Sequence, residues 1–505
     1  MNSNPILSGT LASYLNTAVS MVSNLVLVPM YLFYFGKEEY GLWLVVLSIV
    51  SYLGFSNLGI AQSVANLVAG TNAKNDTEGI NSIVATGFWL YVAIIILVSI
   101  IIISVVLIVP LEDLLNVPET LKNVVIPVFV ISSTFFLLKL PMSIFNVTLR
   151  SLNLIYKEQL FGLLFTVIQF IGVVFVLFSG SGIIWLSVVY GATGLLSGIV
   201  LFVYLHKLVP GFSVSSKFAS KTRVKNLLAP GGYFFVLQLA SGLIWATDNI
   251  IISSIIGIAE VASYAVAFRV FMLTIGIVSV VTASMLPSIT AAYAQKNNEL
   301  VSNLYVHALK LCFGLGILIT IILASVGPEL MITWIGIDNY VGDTTFYFII
   351  GLIFISIILW PSDAILIATT QHKGYALVAV LEGFINVGLS IWWINIWGVA
   401  GVAAATLTAR LVTNGWYMFY QAYVVTGVGI TVLVGNVIKL FIAPTSGVIV
   451  AFFILNNLDL FGWYKIIINT SVIGFIFALL FYFISLSGNE RLAVKKYIEN
   501  FGFFK

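Results

Sequence analysis

Apolar runs of twenty or more residues recur along the whole chain, each closed by a short polar break, and no other feature limits the possible folds so sharply. At about 1.5 Å per residue, a helical run of that length crosses a hydrocarbon core roughly 30 Å thick. About fourteen such runs can be placed, from 7–35, 41–68 and 83–109, through 228–256 and 261–290, to 432–456 and 463–487. The breaks carry turn chemistry, as in GKEEYG at 36–41, GTNAKNDTEG at 70–79, SGSG at 179–182 and QHKG at 371–374. With 60% hydrophobic residues, 8% charged ones and a mean hydropathy of +1.11, the chain holds more apolar surface than a soluble protein of 505 residues buries. The expectation is an all-α, polytopic membrane protein. A β-barrel is excluded, because its strands run about ten residues and alternate polar with apolar. The first apolar segment is too long for a cleavable signal and lacks a basic flank, so it reads as a span.

Basic residues are retained on the cytoplasmic side of a membrane. With both termini inside, fifteen of the 22 Lys and Arg fall on inner segments and three, Lys37, Lys122 and Lys465, on outer ones. The outer loops are instead rich in Glu and Asp. The densest basic loop, HKLVPGFSVSSKFASKTRVK, follows the sixth run. It is the expected linker, at 207–225, between an N-lobe of six spans (1–206) and a C-lobe of six (226–425). Two further spans (430–487) and an amphipathic cytoplasmic tail (488–505) follow. A weak internal repeat supports the division: Gly36 to Trp43 aligns with Gly257 to Tyr264, pairing Gly with Gly, Glu39 with Glu260 and aromatic with aromatic. Six spans separate the copies, so the halves are expected to be parallel repeats around a central cavity.

Several chemistries are absent from the sequence. There is no G-x-x-x-x-G-K-[ST] nucleotide loop. His206, His307 and His372 form no metal-spaced cluster, and the single cysteine, Cys312, reads as packing. No cofactor and no nucleic-acid partner is expected. The longest outer loop, Gly327 to Thr344, is too short to hold a glycan acceptor and itself contains the apolar MITWIG, which disfavours an enzyme.

The remaining signal is charge inside spans, which costs roughly 2.5–3.5 kcal/mol at mid-bilayer and therefore faces a bundle interior or a wet cavity. Asp248 and Arg269 lie about ten residues on either side of the turn at Ile258, at matched depth on neighbouring helices. They are placed to meet, either as a structural ion pair or lining a transport cavity. Asp363 and Glu382 are similarly matched about QHKG. Either the two carboxylates share a pocket that binds protons, or each pairs with a cation such as Lys139 or Arg410. Pro361 marks a kink or hinge beside Asp363. Lys439, near the start of its span, snorkels. The small-residue runs GATGLLSG (191–198) and GVAGVAAATLTA (398–409) read as close helix packing.

FYFGKEEYGLWLVVLSIVSYLGFSNLGIAQSVAN (33–66) resembles the start of the polysaccharide and O-antigen flippases of the multidrug/oligosaccharidyl-lipid/polysaccharide exporter superfamily. In that family an aromatic motif after the first span leads to a second span with a DLG-like signature; here Asn57 stands where an acidic residue is expected. The segment 229–270 is similar to the family's seventh and eighth spans, with Asp248, Gly257, Tyr264 and Arg269 in the expected pattern. The resemblance implies a carrier of undecaprenyl-diphosphate-linked repeat units, O-antigen or capsule-like, from the cytoplasmic to the outer leaflet of a bacterial plasma membrane. Alternating access, coupled to protons or Na+, and a polysaccharide polymerase partner come with it. On this reading Arg269, Asp248, Lys139 and Arg410 bind substrate, and Asp363 and Glu382 couple protons. A multidrug-type exporter and a membrane glycan polymerase or ligase are the alternatives.

Overall fold

A computed structural model describes residues 5–492 apart from 75, 229, 230, 370, 434, 436, 438, 459, 487, 489 and 490. Among the described residues there is no strand, and eleven helices are long and apolar enough to cross a membrane; Lys439–Leu455 is a shorter apolar helix. In chain order the helices are α1 (Pro5–Ser51), α2 (Ile60–Asn72), α3 (Thr77–Ile108), α4 (Leu111–Leu114), α5 (Lys122–Ser151), α6 (Ile155–Ser179), α7 (Gly182–Leu208), α8 (Lys221–Leu228), α9 (Gly231–Trp245) and α10 (Thr247–Ile255). There follow α11 (Ile258–Ala294), α12 (Asn298–Ile335), α13 (Asp343–Ala368), α14 (His372–Trp397), α15 (Val399–Val412), α16 (Asn414–Thr426), α17 (Ile430–Leu433), α18 (Lys439–Asn456) and α19 (Gly462–Leu480). This is an all-α, multi-pass membrane protein. The chain divides into two compact units, Met1–Ala265 with Ala379–Ile394, and Val266–Val378 with Asn395–Lys505.

In the first unit, α1 contains the first expected span, 7–35, and the start of the second. Gly36 interrupts it at φ 69°, ψ −178°, a conformation essentially reserved for glycine. Tyr31 and Trp43 would stand about 18 Å apart along a straight helix. Their ring centroids are 5.7 Å apart, so the chain folds back at Gly36. Beyond the turn, the Glu39 carboxylate accepts from the Ile183 N–H at 3.0 Å and caps the start of α7. Glu39→Ala is expected to lower stability by about 1 kcal/mol, read as a lower melting temperature in detergent, with Glu39→Gln recovering part of the loss.

The second apolar run, 41–68, is not one helix. It passes through a 3-10 turn at Tyr52–Asn57, then Leu58 and Gly59 at φ 47° and 70°, before α2 begins. Buried Tyr91 of α3 donates to the Asn57 carboxamide and accepts from the Ala61 N–H, so Asn57, where an acidic residue was expected, stitches the break to α3. The basic loop after α7 is fastened to the same helix. Asn81 bridges the Gly211 carbonyl and the Ser213 N–H, Trp89 donates to the Val214 carbonyl at 2.9 Å, and Phe212 is fully buried. The most apolar stretch of α3 has only 6% of its residues buried by protein, as befits a helix facing lipid. Its apolar surface needs no protein partner there.

Small residues set the α5 and α7 contact, as GATGLLSG suggested. Gly191, Gly194 and Gly198 of α7 lie directly on Phe135, Lys139 and Met142 of α5, where a Cβ would overlap each side chain. Arg150 and buried Glu158 close the α5–α6 hairpin with paired bonds of 3.0 and 2.6 Å.

The internal repeat has a structural counterpart inside this unit. Gly36 and Gly257 both take positive φ (69° and 139°), and seven residues after each a buried aromatic follows, Trp43 and Tyr264. The two motifs also meet: Gly41 presses on the Ile258 carbonyl with no room for a Cβ.

The second unit is organised around α12 and α13, whose apolar stretch is 67% buried in α13. MITWI continues α12 to Ile335, so the expected outer loop from Gly327 shrinks to residues 336–342. The apolar side chains favour helix over an exposed loop there. Phe441 of α18 stacks with Phe477 and Phe481 at 6.4 and 5.5 Å, pinning the last two apolar segments to each other. The alanine-rich run at 398–409 forms most of α15, with Ala400, Gly401, Ala403, Ala404 and Ala405 buried. Cys312 is buried in α12, as a packing role requires. The amphipathic tail expected at 488–505 lies outside the described residues beyond 492.

Candidate functional site

The break between α9 and α10 creates a polar centre in the first unit. Helix α9 ends at Trp245, Ala246 intervenes, and α10 restarts with Thr247, Asp248 and Asn249. Each of these, with Ser253, reaches a different neighbour: Thr247 the Tyr52 hydroxyl, Asn249 the Ser48 hydroxyl at 2.9 Å, and Ser253 the Leu115 carbonyl at 2.6 Å. Asp248 is 2% exposed. Its Oδ2 accepts from the Tyr264 hydroxyl at 2.7 Å and its Oδ1 from Asn386 Nδ2 at 3.3 Å. Asn386 donates also to the Ile244 carbonyl at 3.3 Å, and Ser390 donates to the Asn386 carboxamide oxygen at 3.2 Å. Glu382, Asn386 and Ser390 are all fully buried and spaced by four along α14, so they share one face of that helix. Among the described residues no group of three His, Cys, Asp or Glu is arranged to hold a metal.

Sequence reasoning singled out Asp248, Tyr264 and Glu382 but missed Asn386 and Ser390. The signal was present: polar residues at 382, 386 and 390 in an otherwise apolar helix repeat with the helical period. Arg269, expected to meet Asp248, belongs to the second unit and is partly buried.

Lys139 lies within α5, in the same unit as Asp248. Its neighbours in a cavity of about 140 Å³ include Trp43, Ser132, Phe136, Ser187 and Tyr190. Among the described residues its ammonium forms no salt bridge and no hydrogen bond. The space for its stem is made by Gly194, where a side chain would collide with it.

In the second unit, Arg410 of α15 donates to the Ser356 hydroxyl of α13 at 3.2 Å. Asp363, two turns along α13 from Ser356, is within electrostatic reach of Arg410, and its buried Oδ1 has no hydrogen-bond partner among the described residues. Beside it the Ser362 and Tyr305 hydroxyls bond at 2.8 Å. Helix α13 continues through Pro361 to Ala368. Of the two carboxylates expected either to share a pocket or to pair separately with cations, Asp363 belongs to this unit, as Arg410 does, and Glu382 to the other.

A family model described as polysaccharide biosynthesis protein matches residues 6–293, more than half of the chain. The chain belongs to the polysaccharide biosynthesis protein family. A relative across nearly the full length is the uncharacterized membrane protein EpsK of Bacillus subtilis (strain 168), 21% identical over 479 residues, which covers 91% of this chain and 92% of EpsK. The fold of this family member is that of lipid II flippase MurJ in an inward closed conformation, with a TM-score of 0.72 at 15% identity over 94% of this chain and 98% of MurJ. It is also that of an inward-facing multidrug resistance MATE transporter of the MOP superfamily, with a TM-score of 0.70 at 13% identity over 81% of this chain and 96% of the transporter.

Proposed function

We propose that this polysaccharide biosynthesis family member is a flippase. Its substrate is an undecaprenyl-diphosphate-linked oligosaccharide, an O-antigen or capsule-like repeat unit. Transfer runs from the cytoplasmic to the outer leaflet of a bacterial plasma membrane, by alternating access of two six-span lobes (1–206 and 226–425), with both termini cytoplasmic. The family match and the fold shared with a protein named a lipid II flippase support the reading. The observation that carries it is Lys139, an ammonium within a membrane helix, beside a cavity and with no carboxylate partner among the described residues. A buried cation without an internal counterion is suited to an anionic ligand such as a diphosphate.

Lys139, Arg269 and Arg410 supply positive charge to the diphosphate. Asp248, held by Tyr264 and Asn386, fixes the restart of α10 near that charge in sequence. Asp363 and Glu382 take up protons, or Na+ in their place, and bias the return of the empty carrier. A polysaccharide polymerase then uses the delivered repeat unit, and the carrier itself makes and breaks no covalent bond.

Lys139→Met tests the carrying observation. It removes the charge while keeping an unbranched side chain of similar length, and the unpaired ammonium costs roughly 2.5–3.5 kcal/mol at mid-bilayer. The variant is expected to be at least as heat-stable as wild type and yet to lose surface polysaccharide in a deletion strain by about tenfold or more. Normal surface glycan from well-expressed Lys139→Met would remove Lys139 from the transport path.

A further inference from the structure

The basic loop between α7 and α8 is held at one height along α3, the helix whose apolar stretch faces lipid. Four bonds fasten it: two from Asn81 to Gly211 and Ser213, one from the Ser220 N–H to Thr86 Oγ1 at 3.0 Å, and one from the Trp89 indole to the Val214 carbonyl. Helix α8 then packs on α2 and α3 with Leu227 buried. The height is that of the membrane boundary. From Ile108, where α3 ends, twenty residues lead back to Trp89, and a helix of that length spans about 30 Å, the thickness of the hydrocarbon core. An indole at that point sits where tryptophans concentrate. The loop bonded to it therefore lies at headgroup level.

Its charge is one-sided. Residues 206–228 include Lys207, Lys217, Lys221, Arg223 and Lys225 but no Asp or Glu, and among the described residues none of the five forms a salt bridge. The carboxylates at the start of α3 do not neutralise them: Asp76 caps that helix at the Gly79 N–H, 2.8 Å away, and Glu78 is exposed and makes no salt bridge among the described residues. Lys221, Lys225 and Leu228 share one face of α8 and are all exposed, as are Lys217 and Phe218 just before it.

We propose that Lys217, Lys221, Arg223 and Lys225 form a docking surface for anionic phospholipid headgroups of the surrounding bilayer, with Phe218 and Leu228 meeting the acyl boundary. The sidedness of basic residues asks only that a loop stay on one side of the membrane. A loop bonded at a fixed height beside a lipid-facing helix does more, because it keeps its cations where lipid phosphates lie. A soluble polyanion would be served by the cations alone, whereas exposed apolar side chains beside them favour a lipid. The leaflet is the inner one on the proposed topology. The surface itself does not depend on what the protein transports.

The test is a native mass spectrometric titration of the purified full-length protein with phosphatidylglycerol and, separately, phosphatidylcholine. Wild type is expected to bind its first phosphatidylglycerol more tightly than phosphatidylcholine. The triple variant Lys217→Gln, Lys221→Gln, Lys225→Gln is expected to weaken that binding about fivefold or more. A second triple variant, Lys74→Gln, Lys157→Gln, Lys296→Gln, removes the same charge from other segments assigned to the cytoplasmic side and is expected to leave it unchanged. Height is read independently by bimane attached through Ser216→Cys in a Cys312→Ala background, whose fluorescence is expected to be quenched by a lipid carrying a nitroxide on its headgroup. Four results overturn the proposal: no preference for phosphatidylglycerol by wild type, full binding by the loop variant, equal losses in the two triple variants, or bimane that the headgroup nitroxide does not quench. Binding of polyphosphate that the loop variant loses, without any preference for phosphatidylglycerol, also overturns it and assigns the surface to a soluble polyanion.

Discussion

Gly41→Val is expected to leave almost no folded protein in the membrane. A Cβ at residue 41 would overlap the Ile258 carbonyl oxygen, and the obstruction is backbone, which cannot rotate away as a side chain does. Relief requires moving either the start of α11 or the helical segment after Gly36. Both are held by packing, the first through fully buried Ile258 and Val261, the second by the stack of Tyr31, Tyr40 and Trp43. Overpacking of a rigid contact typically costs about 1–3 kcal/mol and more where the backbone must shift, and valine adds two methyl groups to the clash. Gly41→Ala is expected to fall between valine and wild type. Both are read by membrane yield and by fluorescence-detected size exclusion. Wild-type yield and a monodisperse peak for Gly41→Val would show that the two repeated motifs do not pack as described.

Asp248→Ala is expected to have the second largest effect, on stability and transport together. The substitution removes the acceptor of the Tyr264 hydroxyl bond at 2.7 Å and of one Asn386 amide bond inside a fully buried site, at a cost of about 1–3 kcal/mol. Asp248→Asn separates charge from shape, because the amide matches the volume but turns an N–H toward one of the existing donors. A double-mutant cycle of Asp248→Asn with Tyr264→Phe is expected to give a coupling energy of at least about 0.5 kcal/mol, since removing both partners also removes the conflict. Additive effects would mean that the Tyr264–Asp248 bond contributes nothing to the fold.

The spans were legible because a bilayer demands length and apolarity, and both are written directly in runs such as 83–109 and 344–370. The turn at Gly36 was legible too, since GKEEYG concentrates the only polar residues between two runs. The internal breaks were not. Nothing in SYLGFSNLG requires a 3-10 turn followed by two residues at positive φ, and Ala246 and Thr413 interrupt helices without glycine or proline. Those breaks are stabilised by distant partners, Tyr91 for Asn57 and Tyr52 for Thr247, which no local pattern announces. The site divides in the same way. Charged residues in apolar runs stand out by their cost, which is why Asp248, Arg269, Lys139, Asp363, Glu382 and Arg410 are singled out from the sequence. Asn386 and Ser390 are not, because an amide and a hydroxyl in an apolar helix look like packing until the bonds that link them to Asp248 are seen.

The account's central claim is tested most directly by locating lipid-linked repeat units in a deletion strain complemented with wild type, Lys139→Met or Arg269→Ala, each at matched membrane expression. The expected result is surface polysaccharide with wild type, and with either variant accumulation of the intact lipid-linked unit on the cytoplasmic leaflet, protected from a membrane-impermeant glycosidase. Accumulation on the outer leaflet, open to the enzyme, would contradict it and place this protein after translocation, in polymerisation.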